Sequence, residues 1–238
     1  LMWLFLWVLF VLCAAGFFIW SYHSIYEQKK AWRAYAMKMG LTYNGGRLLD
    51  SPTMVGEIKG HPVNFYPQLV ENAQGQRCTQ SVVEVFLNRI PALTCVVASQ
   101  GFADFMATIA LPLTFEVQDP DWPKKMIGQC PEDEAPELWF ADNRQRIEAI
   151  QQLSKLPFNV AFVSDGSQAF IAVRTANPID DPRKINQLVT KLITLVEMLE
   201  SEAVAVASSP VQQDPQSTMA NPNDDKNTVE PEISAPKE

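Results

Sequence analysis

The sequence is poor in the residue types that most catalytic and metal sites require. It has two histidines, His23 and His61, and four cysteines, and none of these forms a C-x-x-C or H-x-x-x-H pair. Structural zinc sites usually rely on such local pairs, so the spacing argues against zinc. Walker A, G-x-G-x-x-G and G-x-S-x-G motifs are also missing, which leaves nucleotide binding and serine hydrolysis without support. We predict no catalytic residues, no metal site and no cofactor.

Charge is missing from residues 2–20, MWLFLWVLFVLCAAGFFIW. As a helix with a rise of about 1.5 Å per residue, this run is roughly 28 Å long, close to the hydrocarbon thickness of a bilayer. A cleaved signal peptide needs a positive n-region and a small-residue cleavage site after a shorter apolar core. Neither is present here, so we predict a transmembrane helix over residues 1–21.

A group of basic residues follows this apolar run directly. It comprises Lys29, Lys30, Arg33 and Lys38, with no acidic residue between Glu27 and Asp50. Because Lys and Arg near a membrane-spanning helix favour the cytoplasmic side, the pattern predicts a single-pass protein of the bacterial inner membrane with its domain in the cytoplasm. The same four side chains are candidate membrane-surface residues, with the lipid bilayer as partner, because they lie within reach of anionic lipid headgroups.

Residues 22–40 are predicted to continue the helix up to Gly40, a favourable terminating residue. Apolar residues recur there at helical spacing. Their stripe would dock on the domain or pair with a protein partner, including a second copy of the chain. Within the span, Ala14, Ala15 and Gly16 are small enough to let another helix approach closely, so they form a possible helix contact.

Residues 41–200 predict one α+β globular domain with an antiparallel sheet packed by two or three helices. The candidate strands are residues 41–43, 54–59, 62–66, 80–88, 93–99, 113–118, 159–163 and 169–173. Turn sequences at Lys59-Gly60-His61 and at residues 164–167 indicate hairpins. Helices are predicted over residues 136–153 and from Pro182, where Asp181 provides the N-cap.

Acidic residues are concentrated in two places. Around Trp122, carboxylates including Asp119 and Asp121 could bind a hard cation or perform acid–base chemistry, but four neighbouring prolines favour a solvated loop. Residues 201–238 carry seven acidic and two basic residues and no aromatic, which predicts a disordered acidic tail. Since this excess of acid repels phosphate, we predict no nucleic-acid partner.

The order of these features resembles a group of uncharacterised bacterial membrane-anchored proteins. The resemblance rests on Met39-Gly40-Leu41-Thr42-Tyr43 after the span, the glycines of Gly56-Glu57-Ile58-Lys59-Gly60, the arginines Arg144 and Arg146 in a helix, and the turn at residues 163–166. It covers most of residues 35–200, and Ile127-Gly128-Gln129-Cys130 departs from it. The resemblance implies a single-pass anchor with an α+β domain and implies no activity.

The sequence therefore predicts a membrane-tethered, non-enzymatic interaction or assembly module. One alternative is an accessory subunit of a larger membrane complex, with the span as its interface. A second is a membrane-bound hydrolase that uses His61, or the acidic cluster with a metal.

Overall fold

The computed structural model describes residues 2–47, 50–71, 77–109, 111–175 and 179–201. The predicted tail from residue 202 onward lies outside the described residues. Within them the predicted α+β class is confirmed: a long apolar N-terminal helix precedes an antiparallel sheet with several helices.

The first element, α1, is a continuous helix over Met2–Met39. It ends where the sequence predicts, because Gly40 adopts a φ of 73° and the amide of Leu41 donates to the carbonyl of Ala36 at 2.9 Å. Glycine tolerates this left-handed conformation without a steric penalty. The apolar half of α1 is exposed, whereas its last three turns are packed against the domain.

Nine strands in the described part of the chain form one antiparallel sheet. They are β1 (Thr42–Asn44), β2 (Thr53–Ile58), β3 (His61–Glu71), β4 (Arg77–Phe86), β5 (Thr94–Ser99), β6 (Leu113–Phe115), β7 (Met126–Cys130), β8 (Asn159–Asp165) and β9 (Ala169–Thr175). Their order is β1-β2-β3-β4-β9-β8-β5-β7-β6. The first four strands therefore form a meander, and the β8–β9 hairpin is inserted between β4 and β5.

The two predicted hairpin turns are present. Between β2 and β3, Lys59 and Gly60 have φ values of 52° and 84°, as a two-residue hairpin with positive φ at both positions requires. Between β8 and β9, the side chain of Asp165 accepts hydrogen bonds from the amides of Ser167 and Gln168 at 2.9 and 2.8 Å. These local turns favour the registers of β2 with β3 and of β8 with β9, and β9 also pairs with β4.

Helices α3 (Pro136–Ala141), α4 (Arg144–Ser154), α5 (Pro182–Glu200) and the end of α1 cover one face of the sheet. Alternate strand residues such as Met54, Phe65 and Val83 point into this main core. Helix α5 is capped as predicted, since the carboxylate of Asp181 accepts from the amide of Arg183 at 2.8 Å. The opposite face is covered only in part, by a 3-10 turn at Gln100–Phe102 and α2 (Ala103–Ile109).

Two sequence predictions need correction, and one helix was not expected. The helix predicted over residues 136–153 is two helices, because the side chain of Asn143 caps α4 by accepting from the amide of Gln145 at 2.9 Å. Helix α2 was not predicted. The loop predicted around the acidic cluster contains Trp122, which is buried against Phe115 and Phe140, and leads into strand β7.

Candidate functional site

The last three turns of α1 are part of the main core, and this fixes the position of every basic residue predicted at the membrane surface. Trp32 and Tyr35 are each 1% exposed and pack edge-on against Phe65 of β3, with ring centroids 5.8 and 6.1 Å apart. The indole of Trp32 also donates to the carbonyl of Ile179 at 2.9 Å. The predicted apolar stripe thus docks on the domain through these residues.

A groove lies on the opposite side of this docked segment, between α1 and the chain that follows β1. We call it the collar groove. It has a volume of about 610 Å³ and is lined by Tyr26, Lys29, Lys30, Arg33, Ala34, Met37, Tyr43, Gly45, Gly46 and Arg47. Of the four predicted membrane-surface residues, the structure brings Lys29, Lys30 and Arg33 together here, and it leaves Lys38 exposed outside the groove.

Hydrogen bonds link α1 to β1 and to the chain after it, and a further bond within that chain helps to shape the collar groove. The ammonium of Lys29 donates to the backbone carbonyl of Arg47, and the hydroxyl of Tyr43 donates to the carbonyl of Lys29 at 3.3 Å. The side chain of Asp50 accepts from the amide of Arg47 at 2.9 Å. These contacts add a fourth cation, Arg47, that the sequence prediction did not include among the membrane-surface residues.

The small residues predicted to contact another helix lie on an open surface. Ala14 is half-buried, and Ala15 and Gly16 are exposed. A Cβ atom placed on Gly16 would have no neighbouring heavy atom within 4 Å. A helix could therefore approach here without a clash from the described part of this chain.

A second cleft lies on the partly covered face of the sheet, beside α2. It has a volume of about 620 Å³ and is lined by Gln68, Leu69, Val70, Asp104, Phe105, Thr108 and Arg174. Arg174 lies on β9 opposite Val82 of β4, is 3% exposed, and stacks on Phe102 at 4.1 Å from the ring centroid. Its Nε and one terminal nitrogen have no hydrogen-bond partner among the described residues. Burial lowers the pKa of this guanidinium, and Tyr66 and Asp104 oppose that effect.

Glu84 of β4 and Tyr66 of β3 lie on the same face, on the next two strands beyond β9. The hydroxyl of Tyr66 donates to Glu84 at 2.5 Å, and the amide of Asn64 donates to the other oxygen of that carboxylate at 3.4 Å. Burial and the hydrogen bond to Glu84 raise the pKa of the Tyr66 hydroxyl, while Arg174 lowers it. The arrangement keeps the tyrosine protonated and the carboxylate hydrogen-bonded.

The residues considered for catalysis or metal binding have structural contacts and do not form one site. His61 is buried, and its Nδ1 lies 3.2 Å from the carbonyl of Phe86. Asp119 and Asp121 both pair with Arg144, the first at 3.1 Å. In the described part of the chain, no group of three or more His, Cys, Asp or Glu side chains is arranged to hold a metal ion.

Sequence reasoning missed the Arg174 cleft, although β9 carried one usable signal. The strand Ala169–Thr175 reads AFIAVRT, in which a single charge follows five residues without one. Strands buried on both faces normally show continuous apolar runs, so a lone arginine there indicates a buried cation that needs a hydrogen-bond partner.

One helix among the described residues, α1, is long and apolar enough to cross a membrane by length and composition, and the apolar window is not buried in the domain. No protein-family model and no curated protein matches the sequence. Among solved structures, the chain is similar to the mycobacterial trehalose monomycolate transport factor A, TtfA, over 73% of this chain and 94% of that one. The identity is 10% and the TM-score is 0.44, so this distant likeness carries no functional argument.

Proposed function

We propose that the protein is a single-pass inner-membrane anchor whose cytoplasmic α+β domain serves as a non-enzymatic interaction or assembly module. One observation carries the proposal: the apolar helix runs without a break into the main core. An anchor that only tethers a domain needs no such continuity, and a flexible linker would serve it equally well. A continuous helix instead holds the domain at a set height and orientation relative to the membrane.

The cytoplasmic placement is supported by the distribution of basic residues along α1. No Lys or Arg occurs in residues 2–28, whereas Lys29, Lys30, Arg33 and Lys38 follow within two and a half turns of one another. The positive-inside tendency concerns Lys and Arg within about 15–20 residues of the end of a span, and these four lie within that range.

The order of the turn glycines, among them Gly60 between β2 and β3, supports membership of the group of uncharacterised bacterial membrane-anchored proteins.

Protease accessibility tests the placement directly. In spheroplasts, added trypsin should leave the domain intact, and in inverted membrane vesicles it should digest exposed sites such as Lys124 and Lys125. After carbonate washing, the intact chain should stay in the membrane pellet. Digestion in spheroplasts would contradict the cytoplasmic placement, and release by carbonate would contradict the anchor itself.

The assembly role is supported by the open surface at Ala14, Ala15 and Gly16. A partner helix packed there should be displaced by a larger side chain, because close helix approach in a membrane depends on small residues. We expect Gly16→Leu to abolish co-purification of a partner or second copy in mild detergent. Phe17→Leu, on the opposite side of the helix from Ala15 at the middle of this surface, is the matched control and should leave it unchanged. Equal recovery with both variants would exclude this surface as the contact.

A further inference from the structure

Arg174 places a buried guanidinium at the closed end of the cleft beside α2. The residue is 3% exposed and yet lines the cleft, and its Nε and one terminal nitrogen have no hydrogen-bond partner in the described part of the chain. A buried donor without a partner is costly, and a buried charge is more so. Stacking on Phe102 and Phe105 offsets part of this cost, but a ring face does not replace an oxygen acceptor.

Two carboxylates on the same side of the sheet leave this guanidinium without a partner. Glu84 of β4 accepts hydrogen bonds from Tyr66 and Asn64 instead. Asp104 of α2 lines the cleft, is exposed, and favours the charged form of Arg174. However, neither an ion pair nor a hydrogen bond joins Asp104 to Arg174 in the described residues. The arginine therefore needs an acceptor from outside the described chain.

The lining of the cleft indicates what kind of acceptor fits. Its volume of about 620 Å³ lies within the range of pockets that hold small molecules. Leu69 and Phe105 contribute apolar walls, and Gln68 contributes an amide. Asp104 offsets the charge of Arg174, so a second negative charge on a ligand gains little attraction, and desolvating a doubly charged phosphate costs more than desolvating a carboxylate. The lining thus favours a singly charged acid with an apolar body.

We propose that this cleft binds a small organic carboxylate whose two oxygens accept hydrogen bonds from the guanidinium of Arg174. A planar guanidinium matches a planar carboxylate in this way, and the apolar body of the ligand would lie against Leu69 and Phe105. The two donors without partners have almost no contact with solvent in this structure. Binding therefore turns the side chain of Arg174 toward the cleft or moves that of Phe105, which is half-buried.

The site does not depend on the proposed anchor, and it gives the interaction module a ligand of defined chemistry. A peptide C-terminus carries the same carboxylate, so the experiment includes one.

The test is isothermal titration calorimetry of the full-length chain in mild detergent. The probes are phenylacetate, its neutral analogue phenylacetamide, phenyl phosphate, and a short peptide that ends in phenylalanine. Phenylacetate should bind saturably, and the other three probes should bind more weakly. Arg174→Met should weaken phenylacetate binding roughly tenfold or more, because it removes charge-assisted hydrogen bonds.

Matched variants separate the cleft from overall charge and from general disturbance of the fold. Arg183→Met removes the same charge at an exposed position of α5 outside the cleft and should leave the affinity unchanged. Thr108→Trp should block binding, because the exposed Thr108 lines the cleft and a large ring there fills it without altering Arg174. Ala107→Trp adds the same bulk at an exposed neighbouring position outside the cleft and should bind normally. Far-UV circular dichroism verifies that each variant is folded.

Several results would overturn the proposal. If neither phenylacetate nor the peptide binds saturably at millimolar concentration, the acceptor for Arg174 is water. Equal binding of phenylacetamide would mean that the ring alone is recognised, and tighter binding of phenyl phosphate would indicate a phosphate site. Tighter binding of the peptide would assign the cleft to the C-terminus of a protein partner.

The variants add two further ways to refute it. Unchanged affinity in Arg174→Met, or an equal loss in Arg183→Met, would exclude the guanidinium as the recognition group. Loss of binding in Arg174→Met while the chain stays in carbonate-washed membranes concerns the cleft alone, so failure of this proposal is distinct from failure of the proposed anchor.

Discussion

Tyr35 and Arg174 are among the side chains whose buried polar atoms lack hydrogen-bond partners in the described residues. The hydroxyl of Tyr35 lies inside the main core, and the guanidinium of Arg174 lies beside a cleft on the other face. A buried hydroxyl without a partner costs about 1–3 kcal/mol, and a buried charge costs more unless something compensates it. Each side chain therefore allows a specific test by substitution.

Replacing Tyr35 with Phe should raise the free energy of unfolding by about 1 kcal/mol at neutral pH, because the ring stays and the unpartnered hydroxyl is removed. The control is Tyr66→Phe, which deletes a hydrogen bond to Glu84 and should lower stability by about 1 kcal/mol. Urea unfolding in mild detergent, followed by circular dichroism, measures both. A loss of stability in Tyr35→Phe would mean that its hydroxyl has a partner.

The same substitution should change the pH dependence of stability. Burial raises the pKa of Tyr35 from 10.0 to about 12, so the folded state holds its proton where the unfolded state releases it. The stability from this difference is complete below pH 10 and is lost as the pH rises through about 12. We expect the unfolding free energy of Tyr35→Phe to fall less steeply than that of the wild-type protein between these values.

Arg174→Met should preserve or raise the stability of the isolated protein by about 1 kcal/mol, since a flexible apolar side chain fills similar space without a desolvated charge. Among the described residues, this charge is compensated by stacking on Phe102 and Phe105 and by the nearby Tyr66 and Asp104. Arg174→Glu is the contrasting variant and should unfold the domain, because it buries a carboxylate near Asp104. A loss above about 2 kcal/mol for methionine would show that the guanidinium is satisfied in the native state, by water or by a bound acceptor.

At the scale of single elements, helix α1 has an exposed apolar half and a short later segment that is buried against the sheet. Its contact with the sheet depends mainly on Trp32, which is 1% exposed and donates to the carbonyl of Ile179. Trp32→Ala should lower the free energy of unfolding by about 3–5 kcal/mol, the usual cost of truncating a buried aromatic side chain. Trp20→Ala is the control, because that side chain is 69% exposed, and the domain should keep its stability.

If Trp32→Ala leaves the unfolding transition unchanged, the last turns of α1 do not contribute to the domain. Trp32→Phe separates packing from hydrogen bonding, since it keeps a ring against Phe65 but leaves the carbonyl of Ile179 without its donor. An intermediate loss of about 1–3 kcal/mol is expected. Chemical unfolding in mild detergent monitored by circular dichroism compares all three variants.

Elements with a strong local signal could be predicted from the sequence, and those determined by distant contacts could not. Helix α5 has a capping Asp181 and a regular apolar stripe, and both hairpins have turn residues suited to positive φ or to side-chain capping. Strand β7 was missed because its residues, MIGQC, acquire strand structure by pairing with β5 across the sheet. Helix α2 has only seven residues, which is too short for a periodic pattern to be distinct.

The candidate site residues also divide into those with a local sequence signal and those brought together by distant contacts. Lys29, Lys30 and Arg33 were found because they are close in sequence and lie on one helix. Arg47 joins them only after β1 reverses the chain, and no local spacing reports that contact. Arg174 was missed because its environment is made by α2, β3 and β4, none of which is adjacent to β9 in sequence.

At the scale of the whole molecule, the unbroken course of α1 predicts that the domain cannot rotate freely against the apolar segment. Gln28 of α1 contacts the sheet by donating from its side-chain amide to the hydroxyl of Ser81 at 3.3 Å, so residues near Ser24 can be altered without removing that contact. Two glycines inserted after Ser24 should break the helix locally, since glycine has a low helix propensity. Four alanines inserted there should instead keep the helix and move the domain about 6 Å further along its axis.

Distances between spin labels distinguish these cases. One label is attached at Cys13 in the apolar segment and one at Lys124→Cys, with Cys78→Ser removing the other exposed thiol. In lipid nanodiscs the wild-type chain should give a narrow distance distribution, the four-alanine variant a narrow and shifted one, and the two-glycine variant a broad one. Because the buried contacts of Trp32 and Tyr35 remain in all three, their thermal unfolding should coincide. A broad wild-type distribution would mean that a hinge separates the apolar segment from the domain, and the anchor would then set neither the height nor the orientation of the domain.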